Sequence, residues 1–189
     1  MKHIISIIVF SVILNGCDKS KVDASLGVSW QLAEHRSKTI SDVRYEITLS
    51  IPEKVEEPIM GSETIRFNLS TAGNDVVLDF RQPAGYISKI SMRGKAVEYI
   101  VKDQHIILKG DLFSVGENHV EIEFRAGDMS LNRNDEFLYT LFVPDRAATA
   151  IPCFDQPNLK GRYSLTLNIP KYWTAIANGP LVKETENKN

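Results

Sequence analysis

Residues 43–51 read Val-Arg-Tyr-Glu-Ile-Thr-Leu-Ser-Ile, with every odd position apolar and every even one polar. A period of two is that of a β-strand with one face on a core and the other in water. Pro52 ends the strand, because it has no backbone N–H to donate. The pattern returns over residues 64–69, with Ile65, Phe67 and Leu69 inward, and over 76–80, with Val76, Leu78 and Phe80 inward. It recurs over 119–125 with Val120, Ile122 and Phe124, and over 163–169 with Tyr163, Leu165, Leu167 and Ile169. Residues 87–92 and 96–101 flank Arg93-Gly94-Lys95, which reads as a hairpin turn, and Lys102-Asp103 leads into a further short strand over 104–108. No long stretch keeps a helical period, so a helix bundle is excluded. Short strands separated by turn signals predict an all-β fold, an antiparallel sandwich or saddle of packed sheets.

The first residues follow a different pattern. Lys2 precedes an apolar run over residues 4–14, broken only by Ser6 and Ser11, and the run ends in Asn15-Gly16-Cys17-Asp18. A positive start, a short apolar run and small residues at its end describe an export signal; a membrane-spanning helix needs about 20 apolar residues. Leu14-Asn15-Gly16-Cys17 resembles the bacterial lipoprotein cleavage box, which implies that residues 1–16 are removed and that Cys17 carries lipid. Residues 17–40 then read as a lipidated Cys and polar tether, with at most one short element around 30–35, and residues 41–189 as the folded domain. The expected location is outside the cytoplasm, anchored to a membrane and facing the periplasm or the cell surface.

Composition narrows the function classes. Of 189 residues, 43% are hydrophobic and 24% charged, which is ordinary for a globular protein. The net charge is −2 and the basic residues are interspersed with acids, so the basic stripe of a nucleic-acid partner is absent. There are two cysteines. With Cys17 lipidated, Cys153 has no partner within the chain, and its apolar neighbours Ala150, Ile151, Pro152 and Phe154 predict a buried thiol. A catalytic thiol would need a His base, and the histidines stand far off in sequence at 3, 35, 105 and 119. Glu46, Glu63, Glu121, Glu123, Arg44, Arg66 and Arg125 are candidate acid, base or ligand groups by type, but they fall in strands and most are expected on the water-facing, solubilising side. His105 and His119 have no companions at metal-ligand spacing and read as surface or partly buried imidazoles. The chain has no His-Glu-x-x-His, no Gly-x-Ser-x-Gly, no phosphate loop and no Cys-x-x-Cys, so no catalytic centre and no cofactor site is expected in it.

The informative stretch lies late. Tyr139-Thr140-Leu141-Phe142-Val143-Pro144-Asp145-Arg146-Ala147 leads to Ile151-Pro152-Cys153-Phe154-Asp155-Gln156-Pro157-Asn158-Leu159-Lys160, then a strand, then Trp173-Thr174-Ala175-Ile176-Ala177-Asn178-Gly179. Pro152 and Pro157 fix φ and remove donors, which predicts a rigid turn, with Asp155 placed to accept its backbone N–H groups and Cys153 and Phe154 packed beneath. This order of residues resembles the N-terminal β domain of the aminopeptidase N family of zinc metallopeptidases. Upstream, Val43-Arg44-Tyr45-Glu46 and Pro58-Ile59-Met60-Gly61 fit the opening of the same domain, so the resemblance covers nearly all of the folded part.

The resemblance implies an enzyme that removes N-terminal residues from peptides. Its zinc would be held in a following catalytic domain by two His and a Glu, none of them in this chain. It also implies a rim loop that offers a Gln, and often a Glu, to the free amino group of the substrate. Those positions fall on Leu141 and Val143, beside Tyr139, and the Arg pair usual after the loop is replaced by Ala148 and Thr149. The polar tail after Val182 stands where relatives would continue into closing strands, so the domain is expected to be truncated. The expected role is the N-terminal non-catalytic domain of a membrane-anchored zinc aminopeptidase, inactive alone. Its partners would be a zinc peptidase catalytic domain, in the same parent chain or separate, and, for the whole enzyme, peptides. The alternative is a stand-alone accessory lipoprotein binding peptide or protein through its β domain. An independent hydrolase with an unrecognised site is a third reading.

Overall fold

The computed structural model describes Val22 and residues 24–186; the export signal, the lipidation position Cys17 and the last three residues of the tail lie outside the described residues. The alternating segment of the sequence forms β1 (Ile40–Ser50), which runs antiparallel to β2 (Met60–Leu69). β2 in turn pairs antiparallel with β8 (Gly116–Arg125), and β8 with β4 (Ile87–Met92) and its short hairpin mate β5 (Lys95–Ala96). With β11 (Gly161–Asn168) on the other side of β1, these strands make a sheet ordered β11-β1-β2-β8-β4-β5. A second sheet, β3 (Val76–Asp79), β7 (His105–Leu108) and β6 (Tyr99–Lys102), lies in the order β3-β7-β6. The expected sandwich of packed sheets is the architecture found.

The core is the sum of the inward rows. Register places Tyr45 beside Ile65 and Ile65 beside Val120, so a single phase of alternation continues across three strands. Ile65, Phe67, Val120, Ile122 and Phe124 of the large sheet are buried with Leu78, Phe80, Ile106 and Leu108. Aromatic edges join the layers: Phe80 and Phe124 have ring centroids 5.9 Å apart, and Phe67 meets Phe154 edge-on at 5.6 Å. Gly61 belongs to this packing, since a Cβ there would stand 2.5 Å from the Phe124 ring.

Several details depart from the sequence reading. Residues 30–40 are not tether: α1 (Trp30–Thr39) is a helix capped by the Ser29 hydroxyl, which accepts from the Leu32 N–H at 3.1 Å, and β1 begins directly after it. Its buried positions are Leu32 and, one turn on, Arg36, so a charged residue occupies the stripe where an apolar one would have revealed the helix. The strand expected over 96–101 is divided between the two sheets, because β5 stops at Ala96 and the chain crosses before β6. The turns are two-residue hairpins with left-handed pairs, Arg93-Gly94 at φ 52° and 73° and Asp103-Gln104 at φ 49° and 68°. Such pairs match the twist of the flanking strands, and Gln104 thus belongs to the turn. β11 pairs parallel to β1, which the long excursion after β8 permits and a tight turn would not. Tyr163, Leu165 and Leu167 take the inward phase there, yet Tyr163 and Leu165 are exposed because the second sheet does not extend beneath this edge.

Candidate functional site

The chain before the expected rim positions forms a small hairpin, β9 (Leu131–Arg133) against β10 (Leu138–Thr140). Asn134 closes its turn: the side-chain oxygen accepts from the N–H groups of Glu136 and Phe137, both at 2.8 Å. Arg133 fastens the hairpin to the loop between β1 and β2. Its guanidinium donates to the carbonyl oxygens of Glu57 at 2.9 Å, Lys54 at 2.6 Å and Val55 at 3.4 Å, and also to that of Pro52. Beyond β10, the Leu141 N–H donates to the Ser130 carbonyl at 3.0 Å, and the Val143–Pro144 peptide bond is cis. Tyr139, Leu141 and Val143 project from this loop at 53%, 47% and 75% exposure, beside Phe137. Leu141 and Val143 offer neither a carboxylate nor an amide to an ammonium group.

The Pro152–Pro157 stretch lies against the second sheet. Cys153 is buried and makes a two-way backbone bridge with Asp79, N–H to carbonyl at 3.0 Å and 2.7 Å. Burial, with the negative charges of Asp155 and Asp79 nearby, pushes the thiol's pKa well up, so it stays a thiol and packs as a small hydrophobe. Phe154 is buried, and its N–H donates to the Tyr45 hydroxyl at 3.0 Å. Asp155 accepts from the N–H of Ala148 at 3.0 Å, a residue of the preceding helical turn (Ala147–Thr149), so it ties two segments together. Its half-burial raises the carboxyl's pKa, with Asp79 adding to the shift and the Ala148 bond opposing it. Pro152 is buried and Pro157 exposed.

The most developed polar constellation joins residues that the sequence did not bring together. Arg36 of α1 forks onto Asp79 of β3, Nη1 to Oδ2 at 2.8 Å and Nη2 to Oδ1 at 2.7 Å, and also donates to the Val77 carbonyl at 2.7 Å. The Asp155 N–H donates to Asp79 Oδ2 at 2.8 Å, and His105 Nδ1 lies 2.9 Å from Asp79 Oδ1. Burial would raise the Asp79 pKa, but His105 and Arg36 outweigh it and hold the carboxyl below its usual range. His105, read from sequence as a surface or partly buried imidazole, is buried in this cluster; His119 remains partly exposed, with Nε2 4.0 Å from Glu121. Arg36, Asp79 and His105 are far apart in sequence, and only the approach of α1 to the second sheet brings them together.

Glu63 corrects the water-facing reading of the charged strand residues. It is 4% exposed, lies in register between Ile47 and Ile122, and neither carboxyl oxygen has a hydrogen-bond partner within the described structure. Burial pushes its pKa well up. The signal was present: position 63 shares the phase of Ile65, Phe67 and Leu69.

No group of three or more His, Cys, Asp or Glu among the described residues could hold a metal ion. Of the buried residues of these types, His105 and Asp79 face each other beside Arg36, Cys153 stays an uncharged thiol, and Glu63 stands apart between Ile47 and Ile122. The described residues therefore do not fit a zinc site.

Comparison with known proteins agrees with this geometry. A sequence model of the Peptidase M1 N-terminal domain matches residues 41–189. Aminopeptidase N of Streptomyces lividans is 27% identical over 169 residues, covering 82% of this chain and 19% of its own. A leucyl aminopeptidase of Saccharolobus solfataricus is 31% identical over 107 residues, 53% of this chain and 14% of its own. The chain thus spans a fifth or less of the length of these two relatives. Among solved structures, the M1 zinc metallopeptidase from Deinococcus radiodurans superposes with a TM-score of 0.66 at 17% identity, covering 79% of this chain and 37% of that one. Native yeast LTA4 hydrolase superposes at 0.56 with 15% identity, covering 69% and 23%. These likenesses show the shared fold, and the match across residues 41–189 shows that the chain belongs to the Peptidase M1 N-terminal domain family.

Proposed function

We propose that this chain is the N-terminal, non-catalytic domain of a membrane-anchored zinc aminopeptidase-type enzyme, and that peptide hydrolysis requires a catalytic domain supplied by the rest of a parent chain or by a separate one. The observation that carries this reading is the family match over residues 41–189 in a chain whose described donors do not fit a metal site. The uncovered inner phase of β11, with the exposed apolar side chains Ile176, Leu181 and Val182 after it, offers the surface such a domain would cover. The free edge of β11 favours one second reading, an accessory lipoprotein that takes a peptide strand on that edge.

The apolar rim has a consequence for specificity. Without an acceptor at positions 141 and 143, the assembled enzyme must grip the substrate amine elsewhere, and its preference for a free N-terminus is expected to be weak. Anchoring would be through lipid on Cys17, with the chain exported; the sequence from Lys2 to Cys17 supports this. Among the described residues, no helix is long and apolar enough to cross a membrane.

The deciding experiment compares this chain with the product of the reading frame that continues beyond Asn189, using aminoacyl anilides with added zinc. The longer product is expected to turn over substrate and to lose activity to a chelator, whereas this chain does neither. Chelator-sensitive turnover by the 189-residue chain alone would overturn the proposal, and a stop codon followed by an unrelated gene would favour the accessory reading.

A further inference from the structure

The segment that leads into the domain, residues 24–29, meets in His105 a buried side chain with unusual demands. His105 is 1% exposed at the start of β7, and its two ring nitrogens face oxygen atoms on opposite sides. Nδ1 lies 2.9 Å from the Asp79 carboxylate, and Nε2 lies 2.9 Å from the Ser25 carbonyl oxygen and 3.0 Å from that of Gly27. Both sides present acceptors. A neutral imidazole has one N–H and one lone pair, so it can donate to one side only; the imidazolium donates to both. Asp79 cannot turn away, because the Arg36 fork and the Asp155 N–H hold both of its oxygens.

We propose that His105 is a proton-operated latch: as the imidazolium it fastens the strap at Ser25 and Gly27 to the buried Arg36–Asp79 pair, and on losing the Nε2 proton it releases the strap while keeping Asp79.

The ring has charges of both signs around it. Asp79 faces the ring from β3, with Arg36 of α1 and the Asp155 carboxyl behind it. Lys102 on β6 is the paired neighbour of His105, and its ammonium lies 3.5 Å from Asp103. Residues 24–29, Ala-Ser-Leu-Gly-Val-Ser, contribute no titratable side chain. Burial by itself lowers the imidazole pKa, but the bond to Asp79 and the two strap carbonyls outweigh it and hold the ring above its ordinary value. A raised folded value means that the latch is closed below the ordinary imidazole range and is lost as pH rises through the folded pKa. In that window the opening equilibrium grows by at most about tenfold per pH unit, the limit for a single linked proton. The strap is the joint between the chain's N-terminal part and the domain, so the latch decides whether that joint is stiff.

The test is an NMR titration of the full chain in detergent micelles from pH 5.5 to 9, following the His105 ring and the backbone amides of residues 25–29. We expect both ring nitrogens to carry protons at pH 6, and His105 to titrate above a free histidine. The strap amides should shift and gain rapid motion with the same midpoint, while β2 and β8 stay unchanged. In His105→Gln the strap should be released at pH 5.5 as well. Should that variant fail to fold, the wild-type titration decides by itself. Strap signals identical at pH 5.5 and 9, a midpoint different from that of His105, a single ring proton at pH 6, or latched strap positions retained in His105→Gln would each overturn the proposal.

Discussion

Glu63 carries the largest unmet electrostatic demand in the described structure, a carboxyl among isoleucines with no partner for either oxygen. In the fold its protonated form is favoured, whereas the unfolded chain ionises it in the ordinary carboxylate range. The contribution of this site to stability is therefore complete below that range and declines as pH rises toward the raised folded pKa, by at most about 1.4 kcal/mol per pH unit. Glu63→Leu should flatten this decline and stabilise the domain by about 1–3 kcal/mol at pH 7, read as a higher urea midpoint relative to the wild type. Equal midpoints at pH 4.5 and 7 for the two proteins would show that the carboxyl is solvated. Asp79 presents the opposite case, because its charge is matched. Asp79→Ala strands the buried Arg36 guanidinium and should cost about 3–5 kcal/mol in the same assay.

Among the elements, the hairpin β9–β10 depends most on a single residue. Arg133 reaches the carbonyl groups of four residues in the 52–57 loop, and its removal leaves them to water. Arg133→Ala is expected to speed amide exchange in both the hairpin and residues 52–57 at a global cost of about 1 kcal/mol, with Arg133→Lys intermediate because an ammonium lacks the planar fork. Unchanged exchange in the 52–57 loop would mean that the tie is not formed in solution. Strands such as β1 and β8 were legible because burial on one face writes a period of two into the chain. α1 was not, since only Leu32 and Arg36 of its ten residues are buried. The sheet change between β5 and β6 was also hidden, because residues 96–101 carry no proline to mark where the chain crosses.

At the scale of the molecule, the large sheet is unevenly covered. Among the described residues, β11 presents an unpaired edge and the exposed side chains Tyr163 and Leu165, while the opposite end of the sheet finishes in the two-residue β5. An uncovered edge with apolar neighbours invites association. The purified chain should therefore sediment as concentration-dependent oligomers, and Leu165→Lys should shift it toward monomer. A wild-type chain that is monomeric at all concentrations would show that this edge is already protected. The same surface is the one the proposed catalytic domain would cover, so the continued product should lack this behaviour.

The longer strands β1, β2, β8 and β11 and their inward phase were written in residue types, because strand periodicity is a local property. The family could be recognised for the same reason, from a continuous run of residues in fixed order. Which charged groups lie inside was decided only by tertiary structure. Arg36, Asp79 and His105 come from α1, β3 and β7, and the charge of each in the interior is matched through the others, a condition that sequence neighbours cannot express. β11 likewise has the alternation of a covered strand, and only the reach of the second sheet left it bare.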